Sequence, residues 1–374
     1  SSRLLMRFIT AFRRQHWLFA ALGVFVVQNH CGMPGVKHEQ LAVHLLERGQ
    51  FERARREAER ALRESPDDAD MRVIAAIADA SLGNVEGSVG ALAEALRRSP
   101  DDPRLYAALR SLCTQEGCAE LALVALQELQ QAPGDNWYIN ANIGWALARS
   151  GDTERALPLL EAAVTQWTPD VDETEQIVAH HQLSHLYLDA KRYADAARVL
   201  EAALILRPED SRLLVGIGEC HLRQGYEEGA QPYFARALDT TENRLETASL
   251  IAQVHYGAGL PRRAIDYYEV AASERTVTPL ILNNLAWTYA EEGIELDRAA
   301  SLSLRAVKAA VDNVVYLDTY AEVLFLQGRA DQAIALMHRA IELEPEGGEH
   351  FDYLREQLAR FETRTASLSG NGGL

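Results

Sequence analysis

The chain has 374 residues, of which 48% are hydrophobic and 24% charged, and 37 basic against 54 acidic residues leave a formal net charge of -17. That balance excludes a broad nucleic-acid footprint, which needs a basic face. A compact fold of this length divides into two domains, whereas an array grows simply by adding repeats.

The first element is unlike everything after it. Arg3, Arg7, Arg13 and Arg14 precede an uninterrupted apolar run from Trp17 to Val27, and Gln28, Asn29, His30, Cys31 and Gly32 follow. This order is that of a signal peptide. The run of about eleven residues falls short of the roughly 20 that a spanning helix needs. Residues 1–34 are therefore expected to be a signal peptide or membrane-anchor segment. Cys31 followed by Gly32 resembles the lipidated cysteine of a bacterial lipoprotein signal, and Gln28, Asn29 and His30 depart from the small or apolar residues usual before it. Ordinary cleavage, an uncleaved anchor and an apolar helix packed on the next element stay open beside lipidation.

From residue 35 the chain is periodic. Gly49, Gly83, Gly117 and Gly151 stand 34 residues apart, Gly225, Gly259 and Gly293 keep that interval, and Gly328 follows after 35. A second ladder runs in register with them: Ala54, Ser88, Ala122, Ala156, Ala196, Ala230, Ala264, Ala299 and Ala333. A period in this range marks an array of supersecondary units. Within one unit, Ile143 and Leu147, then Leu157, Leu160 and Val164, place one apolar stripe on each of two helices. Glycine ends the first helix because it takes the left-handed conformation cheaply. Pro66, Pro100, Pro208 and Pro345 mark exits from the second. The pattern predicts nine repeats over 35–347, starting near 35, 69, 103, 137, 177, 211, 245, 279 and 314.

Three irregularities interrupt or end the array. Cys113 and Cys118 flank the Gly117 turn, where a disulfide and two half-buried thiols are both open readings. Between Gly151 and Lys191 the interval stretches to 40, and the extra residues fall in the acidic stretch from Asp170 to Glu175. They predict either a longer loop or a hinge at 170–176. After 347, Phe351, Leu354 and Leu358 predict a capping helix over 348–363, and the Ser/Gly-rich remainder, 364–374, predicts a disordered tail.

The period and residue types resemble the tetratricopeptide repeat (TPR) family. Leu214, Ile217, Gly218 and His221 hold its first-helix positions and Ala230, Phe234 and Ala237 its second-helix positions; Tyr320, Ala321, Leu324, Gly328, Ala333, Met337, Ala340 and Pro345 repeat them. The resemblance implies an all-α TPR-type solenoid, a right-handed superhelix of helix-turn-helix pairs. It also implies a non-catalytic scaffold whose first helices line a concave groove for a partner peptide or helix. Carried onto this chain, the groove residues are His181, His185, Arg212, Glu219, Gln253, Asn283, Asn284, Trp287, Asp318 and Glu322. Asn283, Asn284 and Trp287 are expected to form one patch, and Asp318 with Glu322 an acidic wall beside it.

No hydrolase, phosphate-loop or dinucleotide motif is present, so no catalytic residue and no cofactor is expected. His181 and His185 stand at metal-ligand spacing without a third ligand, and no metal is expected. The combined expectation is a protein-binding scaffold in a bacterial envelope assembly, on the periplasmic side and attached to the membrane through its N-terminal segment. A cytoplasmic regulatory adaptor, and a repeat subunit of an envelope hydrolase or glycan-synthesis complex with catalysis elsewhere, are the alternatives.

Overall fold

The computed structural model describes residues 38–113, 117–130 and 136–370. The apolar N-terminal run and Cys31 lie outside the described residues, as do 371–374. Among the described residues there are nineteen α-helices and no strand. In chain order they are α1 (His38–Glu47), α2 (Phe51–Glu64), α3 (Ala69–Ser81), α4 (Val85–Arg98), α5 (Pro103–Leu112), α6 (Cys118–Gln130), α7 (Trp137–Arg149), α8 (Thr153–Thr165), α9 (Glu173–Asp189) and α10 (Tyr193–Leu206). Then follow α11 (Ser211–Arg223), α12 (Glu227–Thr240), α13 (Arg244–Gly257), α14 (Pro261–Ala272), α15 (Pro279–Glu292), α16 (Leu296–Ala309), α17 (Val314–Leu326), α18 (Ala330–Leu343) and α19 (Phe351–Gly370). Odd-numbered helices through α17 are the first members of nine helix pairs, and α19 follows the last pair. The chain divides between Leu206 and Arg207 into two units, α1–α10 and α11–α19.

Each pair is shaped by its turn. Gly225 has φ of 78° and donates its N–H to the Leu222 carbonyl at 2.9 Å, which reverses the chain after α11. The glycines of the ladder share this left-handed geometry, and Lys191 takes it in the fifth pair at φ 58° without being glycine. The second ladder is the crossing point of the paired helices: Ala54, Ala230 and Ala333 have no exposed surface, and Ser88 keeps 1%. Gly218 allows the closest approach, since a Cβ there would stand 2.4 Å from the Phe234 ring. Fully burying a phenylalanine such as Phe234 contributes about 1.5–3 kcal/mol. Short polar residues start the first helices. Asp102 accepts from the Arg104 N–H, Asn136 from Ile139, Asp210 from Arg212 and Asn313 from Val315.

One expectation is refined and one is corrected. The stretch at 170–176 lies within the first unit, away from the boundary between units at Leu206–Arg207. Its extra residues are shared between the connection and an added turn of helix. Asp172 caps α9 through the Thr174 and Glu175 N–H groups, and α9 runs for 17 residues where α11 has 13. The C-terminal helix does not stop at 363. It continues to Gly370, with the Thr365 hydroxyl bonded to the Phe361 carbonyl, so 364–370 is helix and not tail.

Candidate functional site: the first-helix faces

In the first unit the first helices are tied together by a buried polar cluster. Arg110 of α5 donates to both carboxylate oxygens of Glu175 on α9, at 2.8 and 2.5 Å, and to Asn142 Oδ1 of α7 at 2.6 Å. The Glu175 side chain is 4% exposed and that of Arg110 13%. The Tyr138 hydroxyl accepts the Asp172 N–H at 2.9 Å, Gln176 Nε2 donates to the Val171 carbonyl, and the Tyr106 and Tyr138 rings stack at 5.7 Å. A bond from the third pair to the fifth passes over the fourth, whereas repeats of a solenoid ordinarily touch only their neighbours.

The reach depends on two departures from the repeat that meet in space. Seven residues before its turn residue, every other pair has something small: Ala42, Ala76, Gly144, Ser184, Gly218, Ala252, Ala286 or Ala321. The third pair has Arg110. Its partner Glu175 comes from the added turn of α9. Composition and motif reasoning missed this cluster, yet the register alone singles out Arg110. Close to it, Cys113 and Cys118 are disulfide-bonded across the Gly117 turn, with Cα atoms 4.8 Å apart and both side chains buried. Cys220 is buried in the core of the second unit.

His181 and His185 lie partly buried on α9, in the first unit. The neighbouring His180 is buried, its Nδ1 stands 2.7 Å from the Gln176 carbonyl, and desolvation holds its pKa below the ordinary value. Among the described residues no group of three His, Cys, Asp or Glu is placed to hold a metal.

The other expected groove residues belong to the second unit. Six positions before Gly225, Gly259, Gly293 and Gly328 stand Glu219, Gln253, Trp287 and Glu322, one per first helix. Arg212 Nη2 donates to Glu246 on the next first helix at 2.8 Å, with side chains 42% and 48% exposed. Glu219 accepts from Arg223 at 3.2 Å, and Arg223 also donates to the Gly257 carbonyl at 2.9 Å. Gln253 donates to the Ser249 hydroxyl at 3.3 Å. Trp287 is partly exposed and its indole N–H donates to the Tyr256 hydroxyl at 3.3 Å, while that hydroxyl donates to Glu291.

Three of the assigned roles need correction. Asn283 is 4% exposed, so its amide is core and not part of an exposed patch. Asn284 and Trp287 are both partly exposed, so two of the expected trio stay on the accessible side of α15. Asp318 and Glu322 form no open acidic wall, because α19 covers them: Tyr353 donates to Asp318 at 3.2 Å and Arg360 pairs with Glu322. Burial, with Glu322 beside it, pushes the Asp318 carboxyl up to about 7. Sequence reasoning placed α19 beyond the array without bringing its Tyr353 and Arg360 side chains to Asp318 and Glu322. The signal lay in the polar side of α19, where Tyr353 and Arg360 are seven apart, two helical turns on one face.

The family profile described as Tetratricopeptide repeat matches residues 40–103 and 181–244. Tetratricopeptide repeat protein 8 of Caenorhabditis elegans is 24% identical over 158 residues, covering 42% of this chain and 31% of that protein, so the chain spans about a third of this curated relative. Among solved structures, the human IFIT1 dimer with PPP-AAAA is 18% identical with a TM-score of 0.45, covering 82% of this chain and 72% of that one. A tetratricopeptide repeat protein from Parabacteroides merdae is 17% identical with a TM-score of 0.45, covering 68% and 97%. With the profile matching two separate stretches of one recurring helix-turn-helix pattern, the chain is a tetratricopeptide repeat protein.

Proposed function

We propose that this protein is a non-catalytic scaffold that docks a partner protein on the first-helix face of its second unit, around Glu219, Gln253 and Trp287. The TPR fold itself suggests protein–protein interaction, and proteins built from it are generally non-catalytic. The observation that carries the choice of surface is the contrast in occupancy. On α5, α7 and α9 the polar groups are buried in a bonded cluster, and on α17 they lie under α19. On α11, α13 and α15 the corresponding ladder stays partly exposed, with a tryptophan on it, and tryptophan is the residue type most enriched in interface hot spots.

The test is the double substitution Gln253→Arg with Trp287→Ala, scored by recovery of partners from the native host and by melting temperature. Loss of partner at unchanged melting temperature is the expected result. Partner recovery equal to the parent would overturn the assignment.

Export and membrane attachment complete the proposal. Their support is the arginine-flanked apolar run ending near Cys31, and the proposed setting is a bacterial envelope assembly on the periplasmic side. The unsubstituted protein should fractionate with membranes and carry an acyl label, and Cys31→Ser should release it or block its processing. Soluble fractionation of the parent would remove the envelope assignment.

A further inference from the structure

We propose that the third helix pair is a redox-sensitive joint, locked by the Cys113–Cys118 disulfide and released by a dithiol. It is independent of the docking face, which lies in the second unit. The other turns show what the disulfide replaces. In all eight of them the residue after the turn residue donates its N–H to the carbonyl five positions earlier. Asp152 donates in this way to Leu147, Tyr226 to His221 and Arg329 to Leu324, each at 2.9 Å. In the third pair the same two register positions are Cys118 and Cys113, and the link between them is the Sγ–Sγ bond. No other pair has a cysteine at either position.

The third pair depends on this link more than its neighbours depend on theirs. α5 ends at Leu112, five residues before Gly117, whereas α7, α11 and α17 end two residues before their turn glycines. With 10 residues where α7 and α11 have 13, α5 has fewer of the N–H to carbonyl bonds that hold a helix together. Arg110 stands in the last turn of this shortened helix, three residues before Cys113. The crosslink therefore fixes the end of α5 from which Arg110 reaches Asn142 and Glu175. Once it opens, the buried cluster loses the anchor of its cation, and the first unit loosens where thiols predominate.

Release is a thiol–disulfide exchange. A thiolate of the dithiol attacks Cys113 Sγ, the Sγ–Sγ bond breaks, and Cys118 leaves as a thiolate at the N-terminus of α6, which stabilises it. The second thiol of the reagent then displaces Cys113. Two cysteine thiols result, carrying the two protons of the dithiol, and the reagent is oxidised to its cyclic disulfide. Both cysteines are buried, at 2% and 3% exposure, so the exchange proceeds from an opened turn.

The experiment measures amide hydrogen exchange of the full chain, oxidised and after treatment with dithiothreitol, with alkylation counting the free thiols in each sample. On reduction α5, α6, α7 and α9 should exchange roughly tenfold faster or more. The helices α11–α19 should not change, and serve as the internal reference. Cys113→Leu with Cys118→Asp copies Leu147 and Asp152 of the fourth pair, and should keep the protection of the oxidised parent while ignoring dithiothreitol. Protection in this variant as low as in the reduced parent would show that no hydrogen bond substitutes for the crosslink, which strengthens the lock. Identical exchange of the oxidised and reduced parent would overturn the proposal. So would an increase that leaves α7 and α9 untouched, or one that persists in the double variant and therefore belongs to another cysteine.

Discussion

Two ion pairs between first helices, one in each unit, are built in opposite ways. In the first unit Arg110 and Glu175 meet at 13% and 4% exposure, in bidentate geometry, with Asn142 as a further acceptor. In the second, Arg212 and Glu246 meet at 42% and 48% exposure through one contact at 2.8 Å. Removing one member of a buried pair strands the other charge without water, whereas an exposed pair exchanges one solvated state for another. The first arrangement is therefore structural: it fixes the third, fourth and fifth pairs as a block. The second leaves polar groups able to exchange partners, which a docking face requires.

The largest expected effect breaks the buried side of this comparison. Glu175→Ala should destabilise the protein by about 3–5 kcal/mol, because Arg110 then keeps its charge in a buried site. Amide hydrogen exchange should show α5, α7 and α9 losing protection together. Loss confined to α9 would mean that the cluster does not couple the three pairs.

Next in size is a pH effect at α19. The folded pKa of Asp318 is raised from 3.8 to about 7 by burial and by Glu322, against the opposing pull of Tyr353 and Arg360. A raised carboxylate pKa gives stability that is fully present below 3.8 and is lost as pH rises through about 7. The loss should be about 4 kcal/mol. Exchange protection of α19 should fall over this window, and Asp318→Asn should flatten the profile. A parent profile already flat from pH 4 to 8 would show that α19 does not bury an ionising group.

Gly225→Val should cost about 1–2 kcal/mol, because φ of 78° strains any β-branched residue although a Cβ there would meet open space. An unchanged melting temperature would show that the turn relaxes, as the fifth pair's does at Lys191. The smallest effect sharpens the exposed side of the comparison. Arg212→Ala should change stability by less than about 1 kcal/mol. A loss comparable to that of Glu175→Ala would erase the distinction between the two ion pairs.

The sequence read alone carried the repeat well and the irregular positions poorly, for one physical reason. Turn glycines and crossing-point alanines answer to local backbone and steric demands that recur every repeat, so Gly225 and Ala230 announce themselves by spacing. Arg110, Glu175, Asp318 and Arg360 act through contacts between segments 38–65 residues apart, which no single repeat encodes. Asn283 shows the same limit. Its place on a first helix was legible, but neighbouring residues of α15 differ in burial, and Asn283 falls on the buried side while Trp287 does not. The anomaly at Arg110, a long cation where every other pair has alanine, glycine or serine, was visible in the register and required only aligning the repeats on their turns.

The central claim is that partners dock on the first helices of the second unit, and site-specific photo-crosslinking tests it most directly. A crosslinker at Gln253, on α13, is compared in the native host with one at Asp266, exposed on the second helix α14 of the same pair. The account predicts that a partner protein is captured from position 253, that Trp287→Ala suppresses the capture, and that position 266 yields none. Capture from 266 with none from 253 would contradict it.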